Sequence, residues 1–200
     1  MFEHTIGYFA RITDITPKSI EELRQLHSCG YNGITIGVET GDDEALTFMH
    51  KGYTSADILE QCRKLDEAGI EYNFFYLTGI CGEGKSKQGV ENTLKVFNEL
   101  NPKIIGASML TIYPASELYT EIQKGNWVEE SETEKYGELK MLINGLSIKT
   151  HFAAFGASNA VQLHGNLPAD RTKLVAIIDE VINRFGEKEL KRYRKNLKHL

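Results

Sequence analysis

The feature that most constrains this chain is a rhythm. Short β-branched or aromatic runs begin near residues 5, 33, 70 and 103, and each is followed by a longer stretch with apolar residues at helical spacing. The first run is Thr5–Ile12. Thr16-Pro17-Lys18-Ser19 then opens a helix: Pro17 suits a position that needs no N–H, and Ser19 with Glu22 has capping-box spacing. Leu23 and Leu26 share its face and Gly30 ends it. Gly33–Val38 is the second strand. Asp42 and Asp43 start a brief helix to His50. Thr54 or Ser55 caps a longer one, striped by Ile58, Leu59, Cys62 and Leu65 and stopped by Gly69. The third strand, Ile70–Thr78, carries Tyr72, Phe74, Phe75 and Tyr76, a run that predicts cover on both faces. Val90, Leu94, Phe97 and Leu100 stripe the next helix. Lys103–Ile112 is the fourth strand, and Pro114 precedes a helix ending near Gly125. A charged helical stretch covers Glu129–Leu146, Ser147–Ala153 has the pattern of a fifth strand, and Ala169–Leu200 reads as two helices.

Strands alternating with helices give right-handed βαβ units and a parallel sheet. The expected fold is therefore α/β: a partial (β/α) TIM-like barrel with parallel strands, plus C-terminal helices. Residues 1–125 would form the barrel portion and residues 126–200 a mostly helical extension. With 200 residues, 41% of them hydrophobic and 26% charged, the chain can bury a core of its own. The net charge of −5 offers no global electrostatic case for nucleic acid. The C-terminal basic residues Lys188, Lys191, Arg192, Arg194, Lys195 and Lys198 alternate with Leu190, Tyr193, Leu197 and Leu200, which suits a packed helix with a solvated basic face, a nucleic-acid site being the lesser alternative. No window approaches a membrane span and the first residues do not form a signal peptide, so a cytoplasmic location is expected.

In parallel α/β folds, sites lie at the C-terminal ends of the strands. Four segments should converge there: Gly37–Asp43, Thr78–Gly84, Thr111–Pro114 and the region of His151. Glu39 is the sharpest candidate, because a carboxylate leaving a buried strand costs desolvation unless a ligand or a cation pairs it. A helix cap or Asx-like turn for the segment after Gly41 is the plainer alternative. Gly79, Gly82 and Gly84 permit either a close ligand approach or a tight turn. Gly79–Ser86 also fits G-x-x-x-x-G-K-S, the form of a phosphate loop, although Glu83 puts a negative charge inside the anion cradle. The six histidines, His4, His27, His50, His151, His164 and His199, lack paired metal-ligand spacing. Cys29, Cys62 and Cys81 fall at the bottom of the sheet, inside a helix and at the top, so neither a disulfide nor a shared cluster is expected of them.

Five of these segments, in this order, resemble the radical S-adenosylmethionine (SAM) superfamily. Gly30–Gly41 (GYNGITIGVETG) resembles its "aG…i.iGvEsg" segment and Asp42–Tyr53 (DDEALTFMHKGY) its "sdevLk.mnKg". Ile58–Tyr72 resembles "v…..l..aGi.v". Leu77–Glu83 stands where "mlGlPGE" is usual, with Cys81 in place of the proline. Pro102–Tyr119 resembles "P..i....lt.yPgT.Ly". The pattern is similar to the elongator-subunit/methylthiotransferase-type and oxygen-independent coproporphyrinogen oxidase-like branch. Ser158–Arg171 is similar to a C-terminal module of radical SAM proteins from anaerobes.

The resemblance implies a partial or full barrel and an oxidoreductase-like enzyme with two cofactors, S-adenosylmethionine and a [4Fe–4S] cluster held by a C-x₃-C-x₂-C motif. The cluster donates an electron, the C5′–S bond breaks, and a 5′-deoxyadenosyl radical takes hydrogen from a substrate. Glu39 matches the residue that hydrogen-bonds the SAM ribose, and Lys51 one that meets the SAM carboxylate. Gly79 and Ile80, with Gly82 and Glu83 behind them, match the element beside the adenine. Thr111, Ile112 and Tyr113 match the next strand end, where backbone groups bind adenine. The cluster motif belongs upstream of everything in this sequence, so Met1 falls near the family's third strand. The expectation is a downstream part of such an enzyme, inactive by itself. Two alternatives stand beside it. One is a non-catalytic half-barrel that binds a small molecule or a partner, including a second copy, through its open sheet edge. The other is an NTPase using Gly79–Ser86.

Overall fold

The computed structural model describes residues 7–196. Its strands are β1 (Phe9–Ala10), β2 (Ile34–Glu39), β3 (Tyr72–Thr78), β4 (Ile104–Met109), β5 (Thr150–Ala154) and β6 (Leu163–Leu167), in one sheet ordered as in the chain. The first five are parallel, and β5 and β6 pair antiparallel. The sheet is open, a partial barrel as expected.

The helices are α1 (Ile12–Ile15), α2 (Ile20–Ser28), α3 (Asp43–Phe48), α4 (Ser55–Ala68), α5 (Ser86–Phe97), α6 (Glu117–Gln123), α7 (Glu132–Gly145), α8 (Arg171–Arg184) and α9 (Glu187–Lys195). Local chemistry explains their bounds. Ser19 and Glu22 form the capping box of α2, and Thr54 and Asp57 that of α4. Gly69 closes α4 in the left-handed conformation at φ 78°.

Burial alternates along the strands. Ile34, Ile36 and Val38 of β2, Tyr72, Phe74 and Tyr76 of β3, Ile105, Ala107 and Met109 of β4, and Phe152 and Ala154 of β5 are buried. They join helix residues such as Leu23, Leu65, Phe97, Leu142 and Ile178 in one core. The residues between them, including Thr35, Asn73, Ser108 and His151, keep solvent contact, and Phe75 is 38% exposed. The expectation of cover on both faces of β3 is therefore corrected. Its aromatics split between the helix-covered face and an open one.

Three further departures have local causes. The Thr5–Ile12 run yields only Phe9–Ala10 as strand, with Ile12 already in α1; Thr5 and Ile6 lie outside the described residues. β6 arises from Leu-His-Gly-Asn-Leu, whose polar and glycine positions hide a strand. It returns antiparallel because residues 155–162 are too few for a crossover. Arg194 is not on a solvated basic face: it turns inward to Glu132 at 3.2 Å and donates to Ser158 O at 3.1 Å. Residues 126–200 thus contribute β5 and β6 to the sheet as well as α7, α8 and α9. Lys198, Leu197, Leu200, His199 and His4 lie outside the described residues. Among the described residues no helix is long and apolar enough to cross a membrane.

Candidate functional site

The ends of β2, β3 and β4 lie side by side, with Glu39 opposite Tyr76 and Thr78 opposite Met109. The segments after them leave the sheet at one end. The candidate residues are spread along that end.

Glu39 is held in an unusual way. The β2–β3 register shifts between Ile36 and Glu39, and Glu39 has φ 62°, in the left-handed region that few side chains adopt. The Tyr53 hydroxyl fixes the bulge by donating to Gly37 O at 2.9 Å and to Val38 O at 3.1 Å. Burial, and then the charge of Glu39, push the Tyr53 phenol up, so it stays a donor. The Glu39 carboxylate forms an ion pair with Lys51, and the two side chains are 21% and 25% exposed. Lys51 sits just after α3, where His50 at φ 53° and Gly52 at φ 75° turn the chain. Glu39 caps no helix. Asp42 caps α3, accepting from Ala45 N at 2.9 Å, so the cap alternative belongs to a different residue.

Below Glu39 the chain is clamped to α5. Gly41 N donates to Thr93 Oγ1 at 2.9 Å, and a Cβ at Gly41 would lie 2.7 Å from Thr93 Cα. Only glycine allows this approach.

The glycine loop after β3 is filled by the protein itself. A Cβ at Gly79 would meet the Lys135 side chain at 3.0 Å, and one at Gly82 would meet Trp127 Nε1 at 2.9 Å. Ile80 is buried, Gly82 is buried and Glu83 is exposed. Close packing therefore explains Gly79 and Gly82. The loop is not an anion cradle either. Glu83 N donates to Val128 O at 2.9 Å, Gly84 N to Glu134 Oε1 at 2.6 Å, and Ser86 Oγ to the same oxygen at 3.3 Å. A carboxylate stands where a phosphate would be, and Lys85 pairs with Glu44.

At the end of β4, Leu110 N donates to Thr78 O at 2.9 Å. Thr111 and Ile112 are half-buried and Tyr113 is exposed. The Thr111 Oγ1 and Thr78 Oγ1 atoms are buried without a hydrogen-bond partner. Such orphans are costly and mark places where a polar group can be received.

The sequence reading missed the polar network behind this end. The Glu138 carboxylate, on α7, accepts from Tyr76 Oη and, at 2.9 Å, from Gly79 N. Lys135 is fully buried and pairs with Glu129 at 2.6 Å and Glu132 at 3.3 Å. The four-residue spacing of Glu130, Glu134 and Glu138 was visible, but a charged helix is normally taken for a solvated one.

The three cysteines stay apart, as their positions imply. Cys29 is exposed at the end of α2, Cys62 is buried in α4, and Cys81 is buried at the top. Burial pushes the Cys81 thiol up, and the neighbouring carboxylates add to that. Among the described residues no three His, Cys, Asp or Glu side chains group to hold a metal ion.

The model of the Radical SAM superfamily matches residues 4–97. The tRNA uridine(34) acetyltransferase of Methanocaldococcus jannaschii is 26% identical over 121 residues, 57% of this chain and 21% of that protein. The anaerobic magnesium-protoporphyrin IX monomethyl ester cyclase of Rubrivivax gelatinosus is 26% identical over 130 residues, 65% of this chain and 22% of that protein. The chain thus spans about a fifth of the length of these curated relatives. Among solved structures, the archaeal Elp3 of Methanocaldococcus infernus with an N-terminal deletion superposes with a TM-score of 0.65. It is 14% identical, and the match covers 90% of this chain and 42% of that one. That likeness speaks for the fold.

Proposed function

Residues 4–97 of this chain belong to the radical SAM superfamily, and from that premise we propose that the ends of β2, β3 and β4 form one side of an S-adenosylmethionine pocket. The observation that carries the reading is the Glu39–Lys51 pair at the end of β2. Its carboxylate is held by a bulge, a tyrosine clamp and a left-handed backbone, and its partner is one solvent-touching lysine. In the proposed pocket Glu39 accepts from the ribose hydroxyls, and Lys51 turns to the carboxylate of the methionine moiety. The orphaned Thr111 hydroxyl and the backbone of Ile112 and Tyr113 receive the adenine, with Gly79, Ile80, Gly82 and Glu83 forming the neighbouring wall.

These residues fit S-adenosylmethionine. The cysteines do not fit a [4Fe–4S] cluster, because Cys29, Cys62 and Cys81 lie on different elements and do not converge. The cluster is proposed to be held by polypeptide other than residues 7–196. With it, S-adenosylmethionine would supply the radical chemistry typical of the family. The residues described above bind and orient the cofactor, and the buried core behind them excludes water. The parent protein is read as an oxidoreductase-like iron–sulfur enzyme of which this chain is the downstream part, inactive alone. After reconstitution with iron, sulfide and a reductant, the 200 residues are expected to give no 5′-deoxyadenosine above a protein-free blank. A yield well above the blank would contradict this.

A second reading has one specific observation in its favour. β1 is a two-residue edge strand, and its Phe9 is 86% exposed. Association of two copies, or of a partner strand, along this edge would cover it. Light scattering after size exclusion tests this: a dimer lost in a Phe9→Lys variant supports edge pairing, and a monomeric wild type counts against it.

A further inference from the structure

Behind the end of β3 lie two carboxyls without a cation. Glu138 is almost wholly buried, and Glu130, just before α7, is 2% exposed. Glu138 spends its oxygens on Tyr76 Oη and Gly79 N. While both carboxyls are ionised, Glu130 has no hydrogen-bond partner for either oxygen. Glu130 and Glu138 face each other, and two buried, unpaired negative charges together are not a state a fold tolerates.

The surroundings offer no rescue. On α7, Glu134 adds negative charge, while Lys135 gives its ammonium to Glu129 and Glu132. From α9, Arg194 is taken by Glu132 and by the Ser158 and Leu110 carbonyls. Lys85, where the loop enters α5, is taken by Glu44. From β3 and its loop come Tyr76 and Cys81, both neutral, and Asp42 lies near Cys81. The Ser86 hydroxyl on α5 also faces Glu130, but its one proton is given to Glu134.

We propose that Glu130 and Glu138 share a single proton, and that this proton holds the Gly79–Glu83 loop in place through Glu138 and the Gly79 amide. A proton on Glu130 turns one orphaned oxygen into a donor toward Glu138 and leaves one negative charge for the two donors that Glu138 already has. The inference rests on the proposed S-adenosylmethionine pocket only for what the loop faces. Glu138 is then a positioning residue for the β3 end.

The direction in pH follows. Burial raises both carboxyls above their ordinary values, and their mutual repulsion adds to this for Glu130. The folded chain keeps a proton that the unfolded chain has released. The stabilisation is therefore full below the ordinary carboxylate range and is lost as pH rises through the raised value. Losing that proton leaves two adjacent buried charges, relieved by releasing Glu130 or Gly79.

Infrared difference spectroscopy of the wild-type chain is expected to show a protonated-carboxyl band at about pH 7 that is absent in Glu130→Gln. Its absence from the wild type overturns the proposal, and this reading needs no variant to fold. Amide-exchange protection of residues 79–86 should fall at least about tenfold from about pH 6 to about pH 9, and less than about twofold in Glu130→Gln. An equal fall in that variant also overturns it. If the band and the protection behave as expected but S-adenosylhomocysteine does not bind, the pocket reading fails and the proton clamp stands.

Discussion

Glu39 and Glu138 stand at the same end of the sheet in opposite circumstances. Glu39 has a cation partner, one-fifth exposure and a backbone bent to aim it outward. Glu138 is sealed behind β3 and holds a phenol and a backbone amide of the strand it supports. An ion pair in contact with water contributes little to stability and can exchange its partner for a ligand. A buried carboxyl with two committed donors cannot leave without stranding them. In the proposed pocket the first is the group that meets the ligand, and the second is the scaffold behind it.

The largest expected effect falls on the buried side. Glu138→Ala strands Tyr76 Oη and Gly79 N. It should lower the unfolding free energy by about 3 kcal/mol in urea melts. If it costs no more than an exposed substitution, the contrast between the two carboxylates is lost. Next comes the clamp beneath Glu39. Gly41→Ala puts a Cβ against the Thr93 backbone and should cost about 2 kcal/mol by the same measurement. Glu39→Gln should instead leave stability within about 1 kcal/mol. It should weaken S-adenosylhomocysteine about tenfold by calorimetry, or about 1.4 kcal/mol. Lys85→Ala breaks only the exposed pair with Glu44 and should change stability by at most about 0.5 kcal/mol. Calorimetry with ATP and magnesium should give no heat of binding for either form, and a specific isotherm would revive the phosphate-loop reading.

The strand and helix bounds around Glu39 were legible in the sequence, and the network behind Glu138 was not. β2 could be read because Ile34, Ile36 and Val38 alternate cleanly before Glu39, and because Ser19, Thr54 and Gly69 mark helix ends by known chemistry. The position of Glu39 at a strand end followed from those bounds. Its bulge and left-handed backbone did not, because they depend on the reach of Tyr53 from the far side of α3. β6 stayed hidden because its pattern is completed by β5 rather than by its own residues. The α7 network was hidden for a different reason. Charged residues are normally exposed, and the burial of Lys135 and Glu138 is made tolerable by Glu129, Glu132, Tyr76 and Gly79. The glycines of the loop left a close ligand approach and a tight turn equally open in the sequence, and in the structure Lys135 and Trp127 fill the room at Gly79 and Gly82.

In the proposed pocket Glu39, Lys51 and the ends of β3 and β4 form one continuous binding surface. Amide chemical-shift mapping during titration with S-adenosylhomocysteine tests it most directly. Saturable shifts at Glu39, Lys51, Gly79–Glu83 and Thr111–Tyr113, with the midpoint moved to about tenfold higher ligand in Glu39→Gln, are the predicted result. A saturable response confined to other residues, or none at all, would contradict it.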